Sequence, residues 1–183
     1  MTEAIAIPES QATLEDYEAV ARDFKIVEFI SGDIIVTPPP SIKHQSVITY
    51  ILTELSIYFK KHSGKVFSAP IGVKFKNNDV LEPDIVVIPD DKSYSEKHYI
   101  IKPPLLVIEV LSPNTQHRDW GYKKDKYEEF GIQEYWIIDP ETLDTSIFVV
   151  KDKKYQLRGK YTLSSDKITS EVLKGFEIGP TEI

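Results

Sequence analysis

The chain has 183 residues, no cysteine, 41% apolar and 28% charged side chains, and a net charge of −7 from 29 acids against 22 bases. A single domain of this length hides roughly two-thirds of its unfolded surface, and the absence of cysteine excludes disulfide frameworks, zinc knuckles, iron–sulfur sites and thiol nucleophiles. No apolar run reaches the roughly 20 residues of a membrane span, the start MTEAIAIPES lacks the basic region of a signal peptide, and the acidic balance speaks at first sight against nucleic acid. The expectation is a soluble, cytoplasmic protein with no membrane partner.

Thr13 is placed to cap a short helix opening at Leu14. The segment IVEFISGDIIV (26–36) holds two apolar runs around Ser31-Gly32-Asp33 and predicts a β-hairpin, ended by Pro38-Pro39-Pro40. From Ile42 to His62 the apolar positions Ile48, Ile51, Leu55 and Tyr58/Phe59 make a helical stripe, with His44 on it near the N-terminus. Lys65–Lys76 is strand material split by Pro70, with Asn77-Asn78-Asp79 as the turn. DIVVIP (84–89) and LLVIEVL (105–111) are apolar at successive positions, as central strands covered on both faces must be. Residues 114–130 predict a helix stopped by Gly131, and YWIID (135–139) a strand stopped by Pro140. Leu105–Asp139 is then strand–helix–strand, a crossover joining parallel strands.

Residues 144–178 predict antiparallel strands, and here the charge reverses. Residues 1–40 hold eight acids and two bases, whereas 151–174 hold three acids and seven bases. That basic stretch, with Lys151, Lys153, Lys154, Arg158 and Lys160, can contact phosphates, or can simply be a solvated edge hairpin that resists aggregation. The whole predicts one domain, 1–183, with an N-terminal cap (1–40), a core (41–141) and C-terminal strands (142–183): an α/β fold with a mixed sheet.

Glu109 is the most informative residue. Six of the seven residues in Leu105–Leu111 are aliphatic, and an ionised carboxylate buried among them must be neutralised, hydrogen-bonded or metal-bound. Asp84 follows Pro83 and opens an equally apolar strand; alone it could be a turn aspartate, but two carboxylates on neighbouring strands can converge on a hard divalent cation. Lys123 shares a helix face with Trp120, Tyr127 and Phe130, and that aromatic company favours a face turned towards the sheet over the alternative of an Asp119–Lys123 surface pair. Together these suggest a metal-assisted hydrolase, with Asp84, Glu109 and the Val110 carbonyl holding Mg²⁺ or Mn²⁺ and Lys123 orienting water or stabilising charge.

The order Pro83-Asp84 … Glu109-Val110 resembles the signature of the PD-(D/E)XK nuclease superfamily. The stretch 103–141, with Glu109-Val110-Leu111-Ser112-Pro113, Thr115, Asp119, Lys123, Tyr127, Gly131 and Glu134-Tyr135-Trp136 through Asp139-Pro140, closely resembles a bacterial family described as "putative restriction endonucleases", formerly a domain of unknown function. The resemblance implies a restriction-endonuclease-like core, α-β-β-β-α-β, acting as a Mg²⁺-dependent endonuclease on DNA. The superfamily's lysine should stand two positions after the glutamate, where this chain has Leu111; the resemblance moves it to Lys123, with Lys126 as second choice. It also suggests Glu28, from the hairpin, and His44 as additional site residues. Binding to DNA should be weak and salt-sensitive, and a homodimer is expected because duplex cleavage needs two sites. Two other classes stay open: a catalytically silent module of the same fold, suggested by the displaced lysine, the acidic balance and exposed Tyr94, Tyr99, Tyr155 and Tyr161, and a metal-free carboxylate-pair glycosidase.

Overall fold

Strands that are apolar at every position need cover on both faces, and the computed structural model supplies it; it describes residues 11–23, 26–96 and 98–183. In chain order the elements are α1 (Leu14–Val20), β1 (Val27–Ile30), β2 (Asp33–Val36), α2 (Ile42–Phe59), β3 (Lys65–Ser68), β4 (Gly72–Lys74), β5 (Val80–Leu81) and β6 (Ile85–Ile88). There follow β7 (Ser95–Glu96), β8 (Tyr99–Ile100), β9 (Leu106–Val110), α3 (Gln116–Arg118), α4 (Lys124–Phe130), β10 (Glu134–Ile138), β11 (Asp144–Lys151), β12 (Lys154–Thr162), β13 (Ile168–Thr169) and β14 (Glu177–Ile178).

The main sheet runs β12-β11-β10-β9-β6-β3. Within it β9 and β10 are parallel and the other neighbours antiparallel, so the sheet is mixed, as expected. Side chains alternate between its faces. Ile85, Val87, Leu106, Ile108 and Trp136 pack with Val47, Ile51 and Leu55 of α2. Val86, Val107, Tyr135 and Ile137 pack on the other face against Tyr127 of α4 and Val73, Leu81 and Ile100 of a second sheet, ordered β2-β1-β5-β4-β8-β7. The N-terminal hairpin is part of that second sheet, since Phe29 of β1 pairs with Val80 of β5. Residues 1–10 of the predicted cap lie outside the described residues.

Local chemistry sets the boundaries. Thr13 caps α1 through a capping box with Asp16: its hydroxyl accepts from the Asp16 N–H at 3.2 Å, and its own N–H donates to the Asp16 carboxylate at 2.8 Å. Ser31 and Gly32 both take positive φ, 52° and 92°, the tight turn that matches strand twist in a two-residue hairpin. Gly131, at φ 89°, ends α4 in the left-handed conformation.

The helix after β9 departs from its projected face. Between α3 and α4 the turn Asp119–Lys123 is π-helical, and the extra residue in that turn rotates what precedes it about the axis. Trp120, expected to face the sheet with Lys123 and Tyr127, is instead 42% exposed, while Asp119 is buried at 3%. The tyrosines expected to be exposed are all partly covered: Tyr155 stacks on Tyr135, Tyr99 donates to Glu18, Tyr94 lies beneath Lys102, and Tyr161 packs on the α2 side of the core. Among the described residues, no helix is long and apolar enough to cross a membrane.

Candidate active site

β6 and β9 are antiparallel neighbours with Ile85 opposite Ile108. That register sets Asp84, the residue immediately before β6, beside Glu109 near the end of β9. The two are tied through backbone: the Val110 N–H donates to Asp84 Oδ2 at 2.8 Å, and the Asp84 N–H to Glu109 Oε2 at 3.4 Å. Lys123 reaches the same point from the π-helical turn. Its Nζ lies 3.0 Å from Glu109 Oε1, 2.9 Å from Glu28 Oε1 on β1 and 3.5 Å from Asp119 Oδ1. The Tyr127 hydroxyl donates to Glu109 Oε1 at 2.6 Å.

Three further groups stand on the wall. His44, in the first turn of α2, places Nε2 3.3 Å from Asp84 Oδ2, while its buried Nδ1 has no partner among the described residues. Arg118 donates to Glu28 Oε2 at 3.2 Å. The backbone of Glu82 donates to Glu28 Oε1, and the Glu82 carboxylate accepts from the Val27 N–H, so the two glutamates brace β1 against β5. These groups surround a cavity of about 50 Å³, room for an ion and its water rather than for a whole substrate.

The electrostatics follow from burial. Glu109 is 3% exposed; desolvation pushes its pKa well above the ordinary carboxylate range, against the pull of Lys123. Burial likewise raises Asp119 to about 6 and Glu82 to about 7. For Lys123 burial favours the neutral amine, but Glu109, Glu28 and Asp119 outweigh it and hold the ammonium well above its usual value. His44 behaves similarly: burial lowers its pKa, and the adjoining Asp84 carboxylate more than restores it.

Asp84, Glu109, Val110, Lys123, Glu28 and His44 thus all line one cavity. Lys126 does not; it pairs with Asp79 at 3.4 Å and with Glu129 at 3.9 Å. Four participants were not predicted as site residues: Asp119, Tyr127, Arg118 and Glu82. Asp119 and Tyr127 each stand four residues from Lys123, a spacing that could have shown them; Glu82 and Arg118 depend on pairing across sheets.

Among the described residues, no group of three or more histidine and carboxylate side chains stands ready to hold a metal. The donor chemistry nonetheless suits a hard ion, because Mg²⁺ keeps several waters and takes only one or two carboxylates. Asp84 and Glu109 supply those two oxygens groups side by side.

Residues 14–181 match the model of the Uma2 family, described as "Putative restriction endonuclease". A crystal structure described as a putative nuclease belonging to DUF820 from Anabaena variabilis is similar with a TM-score of 0.69 at 18% identity, covering 88% of this chain and 90% of that one. At that identity the likeness speaks to the fold. No curated protein matches the sequence.

Proposed function

The chain belongs to the Uma2 family, and on that premise we propose that it is a Mg²⁺- or Mn²⁺-dependent endonuclease that hydrolyses DNA phosphodiester bonds. The observation that carries this is the meeting of Asp84, Glu109 and Lys123, from three separate elements, around one small cavity. Asp84 and Glu109, with the Val110 carbonyl, would hold the ion. Once bound, such an ion lowers the pKa of a water and offsets charge on a phosphoryl oxygen.

The remaining work falls to the chain itself. Lys123 stays protonated under its three carboxylates, so it cannot take a proton from water near neutral pH. It acts as a fixed cation, orienting Glu109 and available to developing negative charge. Tyr127 fixes one Glu109 oxygen and leaves the other facing Asp84. His44 meets the Asp84 carboxylate at Oδ2, the oxygen that also accepts from the Val110 N–H. Of the features that suggested a silent module, the displaced lysine stands inside the site and the four tyrosines are partly covered, while the acidic balance remains.

Titration calorimetry with Mn²⁺ tests the metal site: heat for the wild type and none for Asp84→Ala/Glu109→Ala is expected, and equal heats would remove it. A DNA cleavage assay tests the chemistry. Glu109→Gln should abolish divalent-dependent cutting, and activity that persists without a divalent ion would favour a different mechanism.

A further inference from the structure

A second, larger cavity adjoins the carboxylate site, and we infer that it receives an unstacked nucleobase of the DNA strand being cut. The inference rests on the nuclease proposal and names its substrate class. The cavity encloses about 580 Å³, within the roughly 300–1,000 Å³ of small-ligand sites. It shares a wall with the site, for Ile26, Thr37, Pro40 and Asp84 line both. Whatever occupies it is the immediate neighbour of the group that Asp84 engages.

The lining discriminates among parts of a nucleotide. Its walls are Val36, Pro39, Ile48, Ala69 and Pro70, with Asp23, Gln45 and Ser68 adding polar groups. A phosphate backbone seeks cations, and the Asp23 carboxylate on this wall repels it. A base has the opposite chemistry, with broad apolar faces and a polar edge. Proline rings give a stiff surface that loses no rotamer entropy on contact, and Val36, at 39% exposed, is an apolar side chain the fold leaves uncovered. Gln45, on α2, can both donate to and accept from a base edge.

Inside a duplex the faces of a base are hidden by stacking. Only a single strand, a flap or an extruded nucleotide can present one. The preferred substrate is therefore DNA unpaired beside the scissile phosphate, and one site suffices to cut it.

The test is equilibrium binding, followed by anisotropy, of a single-stranded oligonucleotide carrying one 2-aminopurine and of the matching duplex, with Ca²⁺ present. The wild type should bind the single strand at least about tenfold more tightly, with 2-aminopurine emission rising as the base leaves its neighbours. Gln45→Trp, which fills the cavity from an exposed helix position, and Val36→Glu, which charges its rim, should each erase the preference while retaining the wild-type melting temperature. Equal affinity for the two forms, no binding, or a preference that survives both variants overturns the inference. Cleavage of the same pair separates it from its premise. A chain that binds and unstacks the base yet cuts nothing in Mg²⁺ or Mn²⁺ removes the nuclease proposal and keeps the cavity assignment. One that cuts both forms at equal rates, with neither variant altering the ratio, does the reverse.

Discussion

Burying an ammonium costs several kcal/mol unless its charge is met, and Lys123 Nζ is met by Glu28, Glu109 and Asp119. Lys123→Met keeps the aliphatic stem and leaves those acids, among the described residues, with only Arg118, on Glu28, as a cation in contact. A loss of roughly 3–5 kcal/mol is expected near neutral pH. Its pH dependence has a definite sign. A carboxylate whose folded pKa exceeds its unfolded one binds more protons in the native state, so stability falls as pH rises between the two values. For Asp119 that window runs from 3.8 to about 6 in the wild type, and removing Lys123, which lowers the pKa of both Asp119 and Glu109, extends it upward. Urea denaturation should show a small deficit near the acid end and a large one at mildly alkaline pH; a deficit equal at both would contradict the charge account. Glu109 and Asp84 were legible in the sequence because a carboxylate inside or at the mouth of an aliphatic strand has few alternatives. Asp119 was not, because an i,i+4 pair with lysine is ordinarily a surface feature.

At the scale of elements, Asp79 is a joint. From the turn between β4 and β5 it accepts from the Ser31 N–H in the β1–β2 turn at 2.8 Å and from the Tyr122 hydroxyl in the π-helical turn at 2.7 Å. Burial pushes its pKa up, but these donors, Asn77 and Lys126 prevail and hold it below 3.8. Its stabilisation is therefore present above the unfolded pKa and lost as pH falls through the lower folded value. Asp79→Asn should cost about 2 kcal/mol at neutral pH and nothing at pH low enough to protonate the wild type. Denaturation at the two pH values checks this, and a cost that persists in acid would place it in shape rather than charge. Glu134 is a second joint: its fully buried carboxylate accepts from Trp136 Nε1, Ser170 Oγ and the N–H groups of Glu171 and Val172. Glu134→Gln replaces one acceptor by a donor, so a loss of roughly 2–3 kcal/mol is expected by chemical denaturation; an unchanged midpoint would show that the segment is held otherwise. The strands, the long helix and the Gly131 stop were legible from period and punctuation. The π-helical turn was not, since a 3.6-residue projection assumes the regularity that this turn breaks, and Trp120 was misplaced for that reason.

Over the whole molecule, part of the charge of −7 gathers at the site. The basic stretch is less available than its composition suggests, because Lys154 pairs with Glu128, Arg158 with Glu171 and Lys167 with Glu177. The carboxylates around the site, Glu28, Glu82, Asp84, Glu109 and Asp119, outnumber the cations among them, Lys123 and Arg118. Self-repulsion of that cluster is a cost the native fold bears and the unfolded chain, with the acids dispersed, does not. A divalent ion that binds only the assembled cluster should therefore stabilise the fold. At 100 times its dissociation constant the gain is about 2.7 kcal/mol, which for a domain of this size corresponds to a rise of roughly 5–10 °C in melting temperature. Matched sodium chloride should give much less, because it screens the −7 without occupying the site. In Asp84→Ala/Glu109→Ala the divalent and monovalent curves should coincide. A divalent rise that survives the double variant would mean that general screening of an acidic protein, and not a site built from two strands and a helix, is what Mn²⁺ supplies.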